Sequence, residues 1–157
     1  MSIRNLRAEL YSELDELKKL HQDFQEYTSE HQSPYSWDEL RVLAGLLHDF
    51  YNGVENIFKR VINRIDHYPE ILQGEDSHHA ILKYMTQDVE NIRPAFLSED
   101  ICDKLEEYLR FRHLVRHAYG HRYKEERMKP LIDNYPQVFS AFLQEVENFI
   151  ETELFIE

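Results

Sequence analysis

The sequence contains little of what a disulfide-stabilised, membrane-spanning or turn-rich protein needs. It has a single cysteine, Cys102, among 157 residues, which excludes a disulfide bond within the chain. Glycine (4) and proline (5) are scarce, and because both interrupt helices, their scarcity favours a few long helices. No apolar run is long enough to predict a transmembrane helix, and the amphipathic, acidic N-terminus does not resemble a signal peptide. We therefore expect a cytoplasmic protein.

Charge is abundant but unevenly distributed along the chain. The formal net charge is −12, which by itself disfavours nucleic acid as a ligand. The window 110–129 nevertheless carries +5, with seven basic and two acidic residues, and the remainder of the chain carries −17. Such a basic segment on an acidic protein is expected either for a phosphate-binding surface or for an ordinary solvated face.

Apolar residues recur at three- and four-residue spacing in five segments of the chain, which predicts amphipathic helices. The predicted helices cover residues of about 3–30, 36–67, 76–92, 98–120 and 124–153. There is no internal repeat and no alternating strand pattern. The predicted fold is all-α, an antiparallel bundle of four or five helices forming a single domain over residues 1–157.

Short sequence patterns predict where several of the helices begin or end. Ser36 and Glu39 have the spacing of a capping box, in which each side chain satisfies a free amide at the start of a helix. Gly120 is expected to end the fourth helix. Pro130 and Pro136 are expected either to kink or to divide the last helix.

The segment most indicative of chemistry lies late in the fourth predicted helix. There Arg112 is followed after four residues by His117, and one residue later by Tyr119. Histidine exchanges a proton near neutral pH, and arginine holds a phosphate through a two-pronged set of donors. Together they can cleave RNA without a metal if the ribose 2′-hydroxyl is the nucleophile, because arginine stabilises the charge of a pentacoordinate phosphate.

The spacing of this motif poses a geometric problem for a single straight helix. A step of five residues rotates about 140°, so Arg112 and His117 do not share a face. A step of seven returns to within about 20°, so Arg112 and Tyr119 do. We expect both a helix distortion near Gly120 and a second subunit, with two copies of the motif meeting across a dimer axis.

The pattern Arg112-x4-His117-x-Tyr119 near the end of a small helical bundle resembles the HEPN superfamily, and within it the HepT toxins. The preceding segment 47–58 is also similar to the segment before the motif in HepT-like proteins. The resemblance implies a homodimeric, metal-independent endoribonuclease without a cofactor, in which Arg112 and His117 are the catalytic pair. It further implies an antitoxin partner, the minimal nucleotidyltransferase MntA, which transfers AMP to the motif tyrosine, here Tyr119. Transfer RNA is the substrate that the family resemblance suggests.

Four further residues are candidates for a role beside the motif. Arg116 and His113 lie within it and are expected either to contact RNA or to be solvent-exposed. Asn52 and Glu55 are polar residues in the largely apolar second helix. They are expected either to support the arginine or to belong to an exposed helix face.

Two other functions are compatible with parts of the sequence. Some HEPN-like bundles are non-catalytic binding modules, but the complete arginine–histidine–tyrosine set favours the enzyme. His113, His117 and His121 recur at four-residue spacing and could form a metal site, although no carboxylate or cysteine in that stretch completes the ligand set. We predict no metal, a solvated His78–His79 pair, and a buried structural thiol at Cys102.

Overall fold

The computed structural model of the chain describes residues 3–74, 76–117 and 123–153, and within them the fold is all-α. The helices are α1 (Ile3–Glu30), α2 (Trp37–Val61), α3 (Ser77–Tyr84), α4 (Glu99–His117) and α5 (Glu125–Glu153). In these ranges the only β-type pairing is an isolated bridge between Val89 and Arg93. The predicted all-α bundle is therefore confirmed, and none of its described helices is long and apolar enough to cross a membrane.

Helix α2 is the central element and packs against each of the other four helices. The predicted capping box is present at its start, where the Glu39 amide donates to Ser36 Oγ (3.1 Å) and the Ser36 amide donates to Glu39 Oε1 (2.8 Å). A π-helical turn, Ile62–Asp66, continues α2, and His67 follows in the left-handed conformation. The predicted end of this helical segment near His67 is thus confirmed. The packing of α2 against several helices buries eleven of its 25 residues: Leu40, Leu43, Ala44, Leu47, Phe50, Tyr51, Val54, Glu55, Ile57, Phe58 and Val61.

Helix α3 ends about eight residues earlier than the sequence predicts. After Tyr84 the chain forms turns instead of continuing helically to residue 92. The buried side chain of Arg93 explains this: it forms a bidentate ion pair with Asp66 (2.8 and 2.9 Å) and donates to the Gln87 and Pro94 carbonyls. These bonds pair a buried charge and give hydrogen-bond donors to two carbonyls of the non-helical backbone. Tertiary contacts therefore outweigh the local helical pattern.

Helix α5 runs without a break past Pro130 and Pro136, so the expectation that proline divides this region is wrong. A proline inside a helix lacks the N–H for one intrahelical hydrogen bond. The Tyr108 hydroxyl of α4 donates to the Leu131 carbonyl (2.8 Å), five residues before Pro136. This bond, together with the burial of Tyr135 and Val138 on either side of the proline, holds the second proline-containing turn against α4.

Candidate active site

Arg112 lies where α2, α3 and α4 meet, and it is half-buried. On α4, Leu105, Tyr108 and Leu109 face the core, and Arg112 comes one turn later on the same stripe. Its Nε donates to Oδ1 of Asn52 on α2 at 2.7 Å, and its Nη1 lies 3.5 Å from Nε2 of His78 on α3. The guanidinium is therefore held by side chains from two other helices.

Glu55 holds the His78 ring on the side away from Arg112. Only 3% of Glu55 is exposed, and both of its carboxylate oxygens accept from Nδ1 of His78, at 2.8 and 2.9 Å. Lys59, one turn further along α2, places its ammonium 3.6 Å from the same carboxylate. Asn52, Glu55, His78 and Arg112 thus form one hydrogen-bonded cluster, called here the Arg112 cluster.

The partners of the two ring nitrogens indicate which tautomer of the imidazole fits the cluster. A carboxylate only accepts, so Nδ1 of His78 carries the proton directed at Glu55. A guanidinium only donates, so Nε2 of His78 meets Arg112 with its lone pair. These contacts fit the Nδ1–H tautomer, in which both described hydrogen-bond acceptors of Arg112 are uncharged groups.

Arg112 differs in this respect from other arginines of the protein. Arg110, two residues earlier on α4, is exposed and contacts Glu107 (3.0 Å) and Glu106 (3.5 Å) on its own helix. Further arginines that contact carboxylates are Arg60, Arg64 and Arg93. Because a carboxylate in direct contact would compete with a phosphate, the uncharged acceptors leave Arg112 better suited to bind an anion.

A family model described as HepT-like protein matches residues 42–153, more than two thirds of the chain. The chain belongs to the HepT-like family. The prediction of a HepT-like member of the HEPN superfamily is thereby confirmed. No curated protein and no solved structure shows significant similarity to the chain. The HepT-like match contains the whole Arg112 cluster and the motif residues, whereas α1 precedes it.

Of the motif residues other than Arg112, the structure describes only part. The backbone of this HepT-like chain is helical through Arg116 and His117, but their side chains lie outside the described part. Tyr119 and Gly120 lie wholly outside it. The roles of Arg116, His117 and Tyr119, and the predicted helix end, remain predictions.

For the supporting residues the structure distinguishes between the alternatives. Glu55 is buried, so it does not belong to an exposed helix face, and Asn52 is half-buried, with its Oδ1 accepting from Nε of Arg112. That the two residues support the arginine in a reaction stays a prediction. His113 is exposed. The expectation that His78 belongs to a solvated pair is wrong, because 27% of its side chain is exposed and both ring nitrogens have partners. Its neighbour His79 is solvated as predicted, with 56% of its side chain exposed.

The sequence gives little indication of His78, because its partners lie 23 and 34 residues away on other helices. Glu55 leaves a clearer signal, as a carboxylate between the buried residues Val54 and Ile57. A buried charge needs a partner, and this implies a cationic or donor group nearby without identifying it.

The described residues also bear on two other kinds of site, a metal site and a cysteine nucleophile. No group of three or more potential metal ligands occurs among them, while His121 and the side chain of His117 lie outside that part of the chain. Cys102 is buried, as predicted, and burial raises the pKa of its thiol. A buried, protonated thiol is a poor nucleophile, so Cys102 has the character of a packing residue.

Proposed function

We propose that this HepT-like protein is a metal-independent endoribonuclease toxin, with Arg112 and His117 as its catalytic pair and transfer RNA as its substrate. The observation that carries the proposal is the position of Arg112. Its guanidinium is half-buried at a three-helix junction and is held by Asn52 and His78, without direct neutralisation by either of these acceptors. The HepT-like family and the complete Arg112-x4-His117-x-Tyr119 pattern support the same assignment.

The reaction is a transesterification within the RNA strand. The ribose 2′-oxygen forms a bond to the adjacent phosphorus, and the bond from phosphorus to the 5′-oxygen of the next nucleotide breaks. Histidine takes the proton of the 2′-hydroxyl and returns a proton to the leaving 5′-oxygen, which is the role given to His117. The products are a 2′,3′-cyclic phosphate and a 5′-hydroxyl, and no water is consumed in this step.

Arg112 stabilises the negative charge that accumulates on the phosphate oxygens during this reaction. Of its five N–H donors, one is directed at Asn52 and one at His78, so others remain for the phosphate. A guanidinium held in place before the substrate arrives loses little conformational freedom when it binds. The Arg112 cluster therefore favours transition-state stabilisation over simple attraction of RNA.

The active form in this proposal is a homodimer. Arg112 and His117 lie on different faces of a regular helix, because five residues rotate by about 140°. A second copy of α4 supplies the missing half of each site across a two-fold axis. Each dimer then carries two composite sites.

The antitoxin in this proposal is an MntA-like nucleotidyltransferase in the cytoplasm, and its target is Tyr119. Transfer of AMP from ATP joins the tyrosine oxygen to the α-phosphorus and releases pyrophosphate. The added phosphodiester is negative and bulky, and both properties oppose RNA binding at a cationic site. Because Tyr119 follows His117 by two residues in the sequence, such a group is expected to lie close to the path of the RNA backbone.

The test of the nuclease compares two arginines on the same helix. Arg112→Ala removes the phosphate ligand, and we expect RNA cleavage to fall on the order of 10²-fold or more. Arg110→Ala is the matched control, because Arg110 is exposed and contacts only glutamates of its own helix in the described structure. It is expected to retain cleavage and thermal stability close to those of the wild type.

Metal dependence is measured in the same assay. Cleavage is expected to persist in EDTA and to yield cyclic phosphate ends, which mass spectrometry of the products identifies. Equal activity of Arg112→Ala and the wild type would refute the assignment of Arg112. Loss of cleavage in EDTA with recovery on adding zinc would favour a histidine metal site instead.

A further inference from the structure

His78 is the second residue of α3, and its ring lies between a buried carboxylate and the candidate catalytic arginine. Nδ1 contacts Glu55 on one side, and Nε2 faces Nη1 of Arg112 on the other. The ring thus links the three helices that form the site.

We propose that His78 is a positioning residue that sets the orientation of the Arg112 guanidinium for the phosphate. This inference rests on the proposed nuclease function and adds to it a residue outside the motif. Asn52 fixes Nε and His78 fixes Nη1, so two acceptors on different helices define the plane of the guanidinium. A single acceptor would leave rotation about the last side-chain bonds unrestrained.

The relay through an imidazole explains why Glu55 does not contact Arg112 itself. A carboxylate in direct contact would hold the guanidinium firmly but would compete with the phosphate for it. Placed one ring away, Glu55 fixes the tautomer and orientation of His78, and Arg112 meets a neutral nitrogen. The arrangement supplies rigidity while preserving the positive charge needed for catalysis.

Two substitutions separate this role from a purely structural one. His78→Asn places an amide N–H near the position of Nδ1, so it can retain the bond to Glu55, but it is too short to offer an acceptor to Arg112. His78→Gln reaches further and can present its amide oxygen near the position of Nε2. His79→Gln is the matched control, because His79 is the exposed neighbour on the same helix.

We expect His78→Asn to lower kcat on the order of 10-fold, with a smaller change in KM, because orienting groups around a site typically have effects of this size. His78→Gln is expected to restore most of kcat, and His79→Gln to match the wild type. The proposal is overturned if His78→Asn cleaves RNA as fast as the wild type, or if His78→Gln is as impaired as His78→Asn while both remain folded. Circular dichroism and thermal melting establish the folding of each variant.

An NMR measurement tests the positioning without any nuclease activity. The Nε–Hε resonance of Arg112, assigned through Arg112→Lys, is expected to be sharp and slowly exchanging in the wild-type protein and in His78→Gln. In His78→Asn it is expected to broaden or exchange faster, because one of two restraints is lost. An unchanged resonance in His78→Asn overturns the proposal. If the wild type cleaves no RNA but the resonance responds as expected, the nuclease proposal fails and the positioning stands.

Discussion

In the proposed reaction Arg112 has to remain both fixed and charged, and the Arg112 cluster meets both requirements with few side chains. Asn52 and His78 supply acceptors that carry no charge, and the only carboxylate of the cluster is separated from the guanidinium by the imidazole. The surroundings of Arg93 are different, because its guanidinium is buried against Asp66 and its side chain is only 2% exposed. The first arrangement suits an anion ligand, and the second suits a structural ion pair.

Tyr119 is the residue at which the proposed control by AMP transfer can be tested. Tyr119→Phe keeps the aromatic ring but removes the oxygen that would accept AMP. We expect this variant to cleave RNA at least in part and to resist inactivation by an MntA-like nucleotidyltransferase with ATP. Intact-mass measurement should give whole AMP increments on the wild type and none on the variant.

Two results would contradict this assignment. The same mass increments on Tyr119→Phe would mean that another residue is the target. An unmodified but inactive Tyr119→Phe would mean that the hydroxyl also takes part in cleavage.

Among the helices, α2 is the element on which the site depends most, since it contributes Asn52 and Glu55 and contacts every other helix. Its two glycines have different surroundings. At Gly45 an added Cβ meets no atom within 4 Å, whereas at Gly53 it would lie 2.5 Å from Cδ2 and 3.2 Å from Cγ of Leu17. Gly53 therefore allows the close approach of α1 to α2 directly beside Asn52.

The two glycines provide a matched pair of substitutions. Gly45→Ala is expected to raise the free energy of unfolding by about 0.5–1 kcal/mol, because alanine is the better helix former. Gly53→Ala has the same helical gain but forces the buried Leu17 to move, and we expect a net loss on the order of 1 kcal/mol. Denaturant unfolding measures the free energy of unfolding of both variants. Equal stabilisation by the two substitutions would show that Leu17 can move aside without loss of stability.

For the molecule as a whole, the proposed sharing of each active site between two subunits has a direct test. Light scattering is expected to give twice the chain mass. Arg112→Ala and His117→Ala are each expected to be inactive alone. If Arg112 of one copy acts with His117 of the other, mixed dimers contain one intact site of two, and an equal mixture regains about a quarter of wild-type activity.

The complementation experiment has a clear negative outcome. Sites formed within one subunit would give no recovery in the mixture, because each chain lacks one catalytic group. A strictly monomeric protein with full activity would also exclude the shared site. Refolding the two variants together from denaturant ensures that the subunits exchange.

The sequence by itself determined the helical class and, apart from the end of α4, the approximate bounds of the long helices. The predicted helix from about residue 3 to 30 coincides with α1, and the capping box at Ser36 coincides with the start of α2. These features follow from local physics: apolar residues every three or four positions bury one face, and a side chain three residues away caps the first turn.

Only the tertiary structure decided where α3 ends and which residues surround Arg112. The local pattern continues helically to about residue 92, but the buried pair of Arg93 and Asp66, 27 positions apart, fixes a non-helical path. His78 likewise gained its role from Glu55 and Arg112, which lie on two other helices. Periodicity and caps report interactions within one turn or two, whereas a buried charge is satisfied by whichever group the packing of several helices brings to it.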